Sequence, residues 1–149
     1  MGTIKQFEDI IAWQRARAFS KRLYQVIVDS DLQNDYKLRQ QIEGSAGSIM
    51  DNIAEGFERG GNKEFVNFLT YAKGSCGETR SQLYRLLDRA YIDDETFTSM
   101  KEELIVISNL IGGLIKYLKS SELKGWKFKE DEVIYQTTNT EHRTQNTEH

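Results

Sequence analysis

An all-α, antiparallel up-down-up-down four-helix bundle is the fold this chain predicts, and three observations predict it. Proline is absent from all 149 residues, where average usage of about 5% leads one to expect roughly seven, so nothing in the chain blocks a long helix. Apolar residues recur at three- and four-residue steps through four segments. The joints between those segments are short and rich in Asn, Asp and Gly, residues that start and end helices without help from proline. One domain over residues 1–120 absorbs these segments. A short C-terminal arm is expected over 121–136 and a disordered polar tail over 137–149.

The first helix is expected over about Glu8 to Val28. Trp13, Ala16, Phe19, Ser20, Leu23, Tyr24 and Ile27 form a wide apolar stripe, and Arg15, Arg17, Lys21 and Arg22 lie off it. No acidic residue occurs from Ile10 to Val28, the most basic window of the chain. A capping-rich joint from Asp29 to Asn34 leads into a second helix over about Asp35 to Glu55, with Gly56 as a left-handed cap. Its inward positions are Leu38, Ile42, Ser45, Ile49 and Ile53, set around the small-residue stretch Gly44 to Ser48. A helix-interior glycine costs roughly 1 kcal/mol against alanine, so that stretch marks either the close approach of another backbone or a local break.

Phe57 to Gly61 reads as the next connection and Asn62 as the N-cap of a third helix reaching about Ala90. Phe65, Phe68, Leu69, Ala72, Cys76, Thr79, Leu83, Leu86, Leu87 and Ala90 share about 100° of arc at the helical period, the strongest helix signal in the chain. Asp93 caps a fourth helix, and Ile92 with Phe97 has the spacing of a hydrophobic staple. Phe97, Met100, Leu104, Ile107, Ile111, Leu114 and Leu118 alternate steps of three and four, as in a coiled-coil seam. A second stripe, Val106, Leu110, Gly113 and Tyr117, lies roughly 100° away on the same helix. It needs either a neighbouring helix or another subunit, and it is the candidate oligomer interface. Beyond Lys119 the pattern stops, although Trp126, Phe128, Val133, Ile134 and Tyr135 suit an extended arm. Asn-Thr-Glu-His occurs at both 139–142 and 146–149.

Composition also excludes chemistry. The only two histidines, His142 and His149, lie in the expected tail, so imidazole-dependent hydrolysis, Cys-His proteolysis and a His-ligated zinc or di-iron centre lack their key residue. Gly44-Ser45-Ala46-Gly47-Ser48 lacks the Gly-Lys-Ser/Thr ending of a phosphate-binding loop. Cys76, the single cysteine, falls on an apolar stripe and reads as a buried structural thiol in a reducing compartment. The N-terminus lacks an apolar signal core and no apolar run reaches the ~20 residues of a membrane span. The chain is therefore read as a cytoplasmic non-enzyme with no cofactor, no metal site, no membrane attachment and no small-molecule substrate.

Several strings together resemble a known family: Phe7-Glu8-Asp9-Ile10 with Trp13-Gln14 and Ala16, then Ser48-Ile49 with Asn52-Ile53-Ala54-Glu55-Gly56-Phe57. These are followed by Lys63-Glu64-Phe65, Phe68-Leu69, Ala72, Gly74-Ser75 and Glu78. Over roughly residues 7 to 118 the chain resembles the bacterial four-helix-bundle family first noticed as products of reading frames in intervening sequences of large-subunit ribosomal RNA genes. The resemblance implies an antiparallel four-helix bundle, assembly into a ring-like homopentamer and no catalytic activity. It extends to accessory proteins of diversity-generating retroelements, pentameric barrels that bind nucleic acid and a reverse transcriptase. The chain departs from relatives in lacking a proline at the second helix, in carrying Glu43 and Gly44 where basic residues are usual, and in its net charge of −3. Trp13, Asn52, Glu55, Gly56, Phe57, Glu64, Phe65, Gly74 and Glu78 carry the family pattern and read as structural, with Asn52 and Glu55 hydrogen-bonding the turn at Gly56 or the start of the third helix. Gly74 and Gly77 read as sites of close packing between helices or subunits.

Charge is unevenly distributed. Residues 10–28 carry four cations and no acid, residues 61–92 carry five cations against three acids, and residues 93–149 carry seven cations against eleven acids. Arg15, Arg17, Lys21 and Arg22 of the first helix with Lys73, Arg80, Arg85 and Arg89 of the third are candidate nucleic-acid contacts on a face shared by those two helices. The expected function is a non-enzymatic oligomeric scaffold binding RNA or DNA. The alternative is a protein-docking accessory subunit, for example of a reverse transcriptase.

Overall fold

The structure, a computed structural model, describes residues 4–121. The arm and tail expectations, His142, His149 and the aromatic residues Trp126, Phe128 and Tyr135 lie outside the described residues. Four helices, α1 (Ile11–Val28), α2 (Tyr36–Glu58), α3 (Asn62–Asp88) and α4 (Asp94–Ser120), follow one another without a strand among the described residues. Helix α1 packs on α2 and α4, and α3 packs on the same two, so α1 and α3 occupy diagonal corners of a four-helix bundle. The antiparallel course shows in the cross-links. Asp35 at the N-cap of α2, then Gln41 and Ser45 within it, meet Arg89, Arg85 and Gln82 in turn, and Gly56 meets Phe65 and Phe68.

The core is the set of helical stripes. On α4 the seven seam residues from Phe97 to Leu118 are all buried, and Asp93 caps the helix by accepting a hydrogen bond from the Thr96 amide at 2.7 Å. On α3 the inner line Phe65, Leu69, Ala72, Cys76, Thr79, Leu83 and Leu86 is buried, while Phe68 and Leu87 are half-buried at its edge. Helix α1 buries Ala12, Ala16, Phe19, Leu23 and Ile27. Tyr24, expected inside, is 57% exposed, because it lies about 100° from Leu23 at the helical period and beyond the reach of the stripe.

Four boundaries differ from expectation, each for a local reason. Helix α1 starts at Ile11 because Ile10 takes an extended backbone that buries its side chain, and Phe7–Asp9 forms a separate 3-10 turn. That turn is held by the Asp9 carboxylate, which accepts from the Lys5 and Gln6 amides at 3.1 and 3.2 Å. Helix α2 runs on through Phe57 to Glu58, so Gly56 is helical and buried rather than a cap, and the left-handed glycine is Gly60 at φ 83°. The N-cap of α3 is Gly61, and Asn62 is the first helical residue, its amide atoms buried without a partner among the described residues. Helix α3 ends before Ala90, which is exposed with φ 58°. The Tyr91 amide donates to the Leu86 carbonyl and the Ala90 amide to the Leu87 carbonyl, both at 2.9 Å, so the helix closes in a Schellman turn with alanine where glycine is usual.

The Gly44–Ser48 stretch shows no break, and its two glycines are not approached by another helix of this bundle. Helix α2 is continuous through it, and a side-chain carbon added at Gly44 or Gly47 would meet nothing within 4 Å. The same holds for Gly74 and Gly77, so none of the four mediates packing between helices of this bundle. The close approach is at Gly56, where an added Cβ would sit 2.6 Å from the Phe68 Cβ.

Candidate functional site

The eight candidate cations do not share one face. Because α1 and α3 are diagonal, their charges belong to separate sides of the bundle. Arg22 of α1 pairs with the Glu103 carboxylate and donates to the Ser99 hydroxyl at 2.9 Å. On α3, Arg89 pairs with Asp35 at 2.5 Å, Arg85 donates to the Gln41 side-chain carbonyl at 2.9 Å, and Lys73 donates to the Ser108 hydroxyl at 3.0 Å. Arg15, Arg17, Lys21 and Arg80 are exposed and form no ion pair among the described residues. Three of those four lie on α1. At 100° per residue Arg15 shares the α4 side with Arg22, whereas Arg17 and Lys21 share the outer flank.

The second stripe of α4 is partly covered within the bundle. Val106, Leu110, Gly113 and Tyr117 are half-buried, and Leu110 and Tyr117 pack against the core. Ser99 and Glu103 continue the same three-and-four spacing toward the helix start, and Arg22 of α1 bonds to both. The stripe therefore lines the α1–α4 seam, whose contacts are the sparsest of the four seams.

The residues of the family pattern divide by job. Trp13 is half-buried and edge-on to Phe7, with ring centroids 5.1 Å apart. Phe57 and Phe65 are buried and T-shaped at 5.9 Å, and Gly56 lets them meet. Asn52 does not reach the turn or α3: its amide donates back to the Ser48 carbonyl at 2.8 Å. Glu55 pairs with Arg59 one turn on, at 3.1 Å, which braces the end of α2. Glu64 is exposed in the first turn of α3, where its charge favours the positive helix end. Glu78 accepts from the Gln82 amide at 3.3 Å. These carboxylates are dispersed, with no facing pair of the kind that acid–base chemistry uses.

Two polar clusters went unnoticed in the sequence. Between α2 and α3 the Ser45 hydroxyl donates to the Gln82 side-chain carbonyl at 2.5 Å and accepts from the Thr79 hydroxyl at 2.9 Å. All three residues are buried. Only one register of the two helices aligns them, so the network selects that register while satisfying its own polar atoms. Ser45 and Thr79 on otherwise apolar stripes were the available signal; Gln82 had none. At one pole, Asp35 accepts from Tyr91 at 2.8 Å and from Arg89. The Tyr91 hydrogen bond, with Arg89 behind it, holds the Asp35 carboxyl below the usual carboxylate range, and the same bond to Asp35 pushes the Tyr91 hydroxyl up. Beside them Asp29, Ser30, Asp31, Gln33 and Asn34 line a shallow polar depression of about 450 Å³. Burial pushes the Cys76 thiol up to about 12, which removes it from thiolate chemistry. Among the described residues no group of His, Cys, Asp and Glu is placed to hold a metal, and no helix is long and apolar enough to cross a membrane.

Residues 8–113 match the model of the 23S rRNA-intervening sequence protein family. A crystal structure of a protein of unknown function from the S23 ribosomal protein family of Bacteroides thetaiotaomicron is similar in fold, with TM-score 0.64 and 27% identity. The match covers 71% of this chain and 99% of that one. No curated protein matches the chain.

Proposed function

This chain belongs to the 23S rRNA-intervening sequence protein family, and from that premise we propose that it is a non-enzymatic, cytoplasmic scaffold, a homopentamer of helical bundles that binds RNA or DNA through the cations of α1. One observation carries the reading. Helix α1 has four cations and no acid, and three of them, Arg15, Arg17 and Lys21, are exposed without an ion pair among the described residues. Phosphate contacts supply most sequence-independent affinity, and a net charge of −3 for the chain does not cancel a local excess such as the Arg17–Lys21 face of α1. Repetition of that face around a ring multiplies its effective valency. The sparse α1–α4 seam, with half-buried Val106 and Leu110, supports assembly.

The alternative is a protein-docking accessory subunit, of a reverse transcriptase for example, without affinity for nucleic acid. Salt titration against a fluorescent RNA hairpin separates the two. Binding should weaken linearly in log–log form, and an Arg17→Glu/Lys21→Glu variant should bind less tightly and flatten the slope by roughly two. Both residues are exposed, so the bundle should be intact. Absence of salt-dependent binding, with a stoichiometric protein co-purifying instead, overturns the proposal in favour of the docking role.

A further inference from the structure

The outer flank of α1 carries more than charge. Trp13, Arg17, Lys21 and Tyr24 fall within about 80° of arc at the helical period, so two aromatic rings bracket two cations along one strip. Tyr24 is 57% exposed, and Arg17 and Lys21 are exposed beside it. Trp13 is wedged by Phe7, and the Arg17 guanidinium lies over the Trp13 ring, 5.9 Å from its centroid. That contact, within cation–π range, keeps the guanidinium beside the Trp13 ring.

A guanidinium plane and an exposed phenol ring are both platforms on which an unpaired base stacks. A duplex hides its base faces and offers a helix flank mainly phosphates. Along the axis Arg17 and Tyr24 are separated by about 10 Å at 1.5 Å per residue, roughly three steps of a stacked strand at ~3.4 Å. Lys21 lies between them, where an intervening phosphate would fall.

We propose that the Trp13–Arg17–Lys21–Tyr24 strip of α1 is a site for single-stranded nucleic acid, with bases stacked on Arg17 and Tyr24 and the backbone held by Lys21. Trp13 is a positioning residue for Arg17. The proposal rests on the nucleic-acid reading above and narrows it to unpaired strands and one flank of one helix.

The test uses the full chain, a fluorescein-labelled oligo(dT) strand and a mixed-sequence DNA duplex of the same length, followed by anisotropy. The strand should bind more tightly than the duplex. Tyr24→Ala should weaken strand binding about ten-fold, the loss of one stacked base, with duplex binding unchanged. Tyr24→Phe keeps the ring and should bind as the parent does. Equal weakening of both probes by Tyr24→Ala, or no weakening of either, overturns the strip while salt-dependent duplex binding leaves the broader reading standing. Failure of both probes to bind overturns both readings, as does capture of a protein partner with no nucleic acid bound.

Discussion

Replacing Gly56 and Gly44 with alanine, one at a time, should move stability in opposite directions although both lie within the same helix. An alanine at Gly56 places its Cβ 2.6 Å from the Phe68 Cβ and 3.1 Å from Phe65 Cδ1, where carbon contacts prefer about 3.5–4.0 Å. Phe68 Cβ is fixed to its own backbone, so about 1 Å must be found by parting α2 from α3. Overpacking of this kind costs about 1–3 kcal/mol, and the rigid partner puts Gly56 at the upper end. Against that stands the gain of about 1 kcal/mol from removing a helix-interior glycine, leaving a net loss of about 1–2 kcal/mol. Gly44→Ala keeps the propensity gain and meets nothing within 4 Å, so it should stabilise by about 0.8–1 kcal/mol. Urea unfolding followed by helical circular dichroism, at one fixed protein concentration because assembly shifts the midpoint, reads the difference. With slopes of about 1–3 kcal/mol per molar, the difference of about 2–3 kcal/mol should separate the two midpoints by about 0.6–3 M. Midpoints that shift together, or a Gly56→Ala variant at least as stable as the parent, would refute the packing argument.

Three further outcomes are expected. Ala90→Gly should stabilise the chain by about 0.5–1 kcal/mol in the same assay, because the left-handed backbone at φ 58° costs an alanine about 1–2 kcal/mol and the greater freedom of unfolded glycine returns part of that. The Asp35–Tyr91 bond should give stability a dependence at both pH extremes. The lowered Asp35 carboxyl contributes stability that is present above its ordinary value of 3.8 and lost as pH falls through the folded value below it. The raised Tyr91 hydroxyl contributes stability present below pH 10 and lost as pH rises through its higher folded value. Tyr91→Phe should flatten melting temperature against pH in both windows, and an unchanged profile contradicts the assignment. Cys76, buried with its thiol raised to about 12, should resist thiol reagents in the native state and react only at the rate of unfolding. Rapid native labelling would show that the α3 stripe opens locally.

What the chain's residues reveal depends on whether the physics is local. The α4 seam from Phe97 to Leu118 and the Asp93 cap were legible because helical period and capping chemistry act within one or two turns, and every seam residue is buried. Gly56 and Gly44 were not, since a glycine's purpose depends on what stands opposite: Phe68 faces one and no atom of the bundle faces the other. The cations failed to share a face for the same reason. Their number is read from the chain, but whether Arg22 and Arg89 are neutralised depends on Glu103 and Asp35, which are distant in sequence, and α1 and α3 turn out to be diagonal. The break at Ile10 and the left-handed Ala90 escaped because an isoleucine and an alanine carry no turn signal of their own. The Trp13–Arg17–Tyr24 strip is half visible in the sequence: its cations stand out, whereas Tyr24 has the spacing of a core residue and only its exposure puts it beside them.

Assembly of the bundle and its proposed hold on nucleic acid through α1 can be read in one experiment. Light scattering on protein purified without nuclease, with absorbance read at 260 and 280 nm across the same peak, addresses both parts together. The expected result is a particle of five times the 17.3 kDa chain mass, with excess absorbance at 260 nm that high salt removes and that is smaller for Arg17→Glu/Lys21→Glu. A particle of one chain mass with the absorbance of protein alone would contradict it.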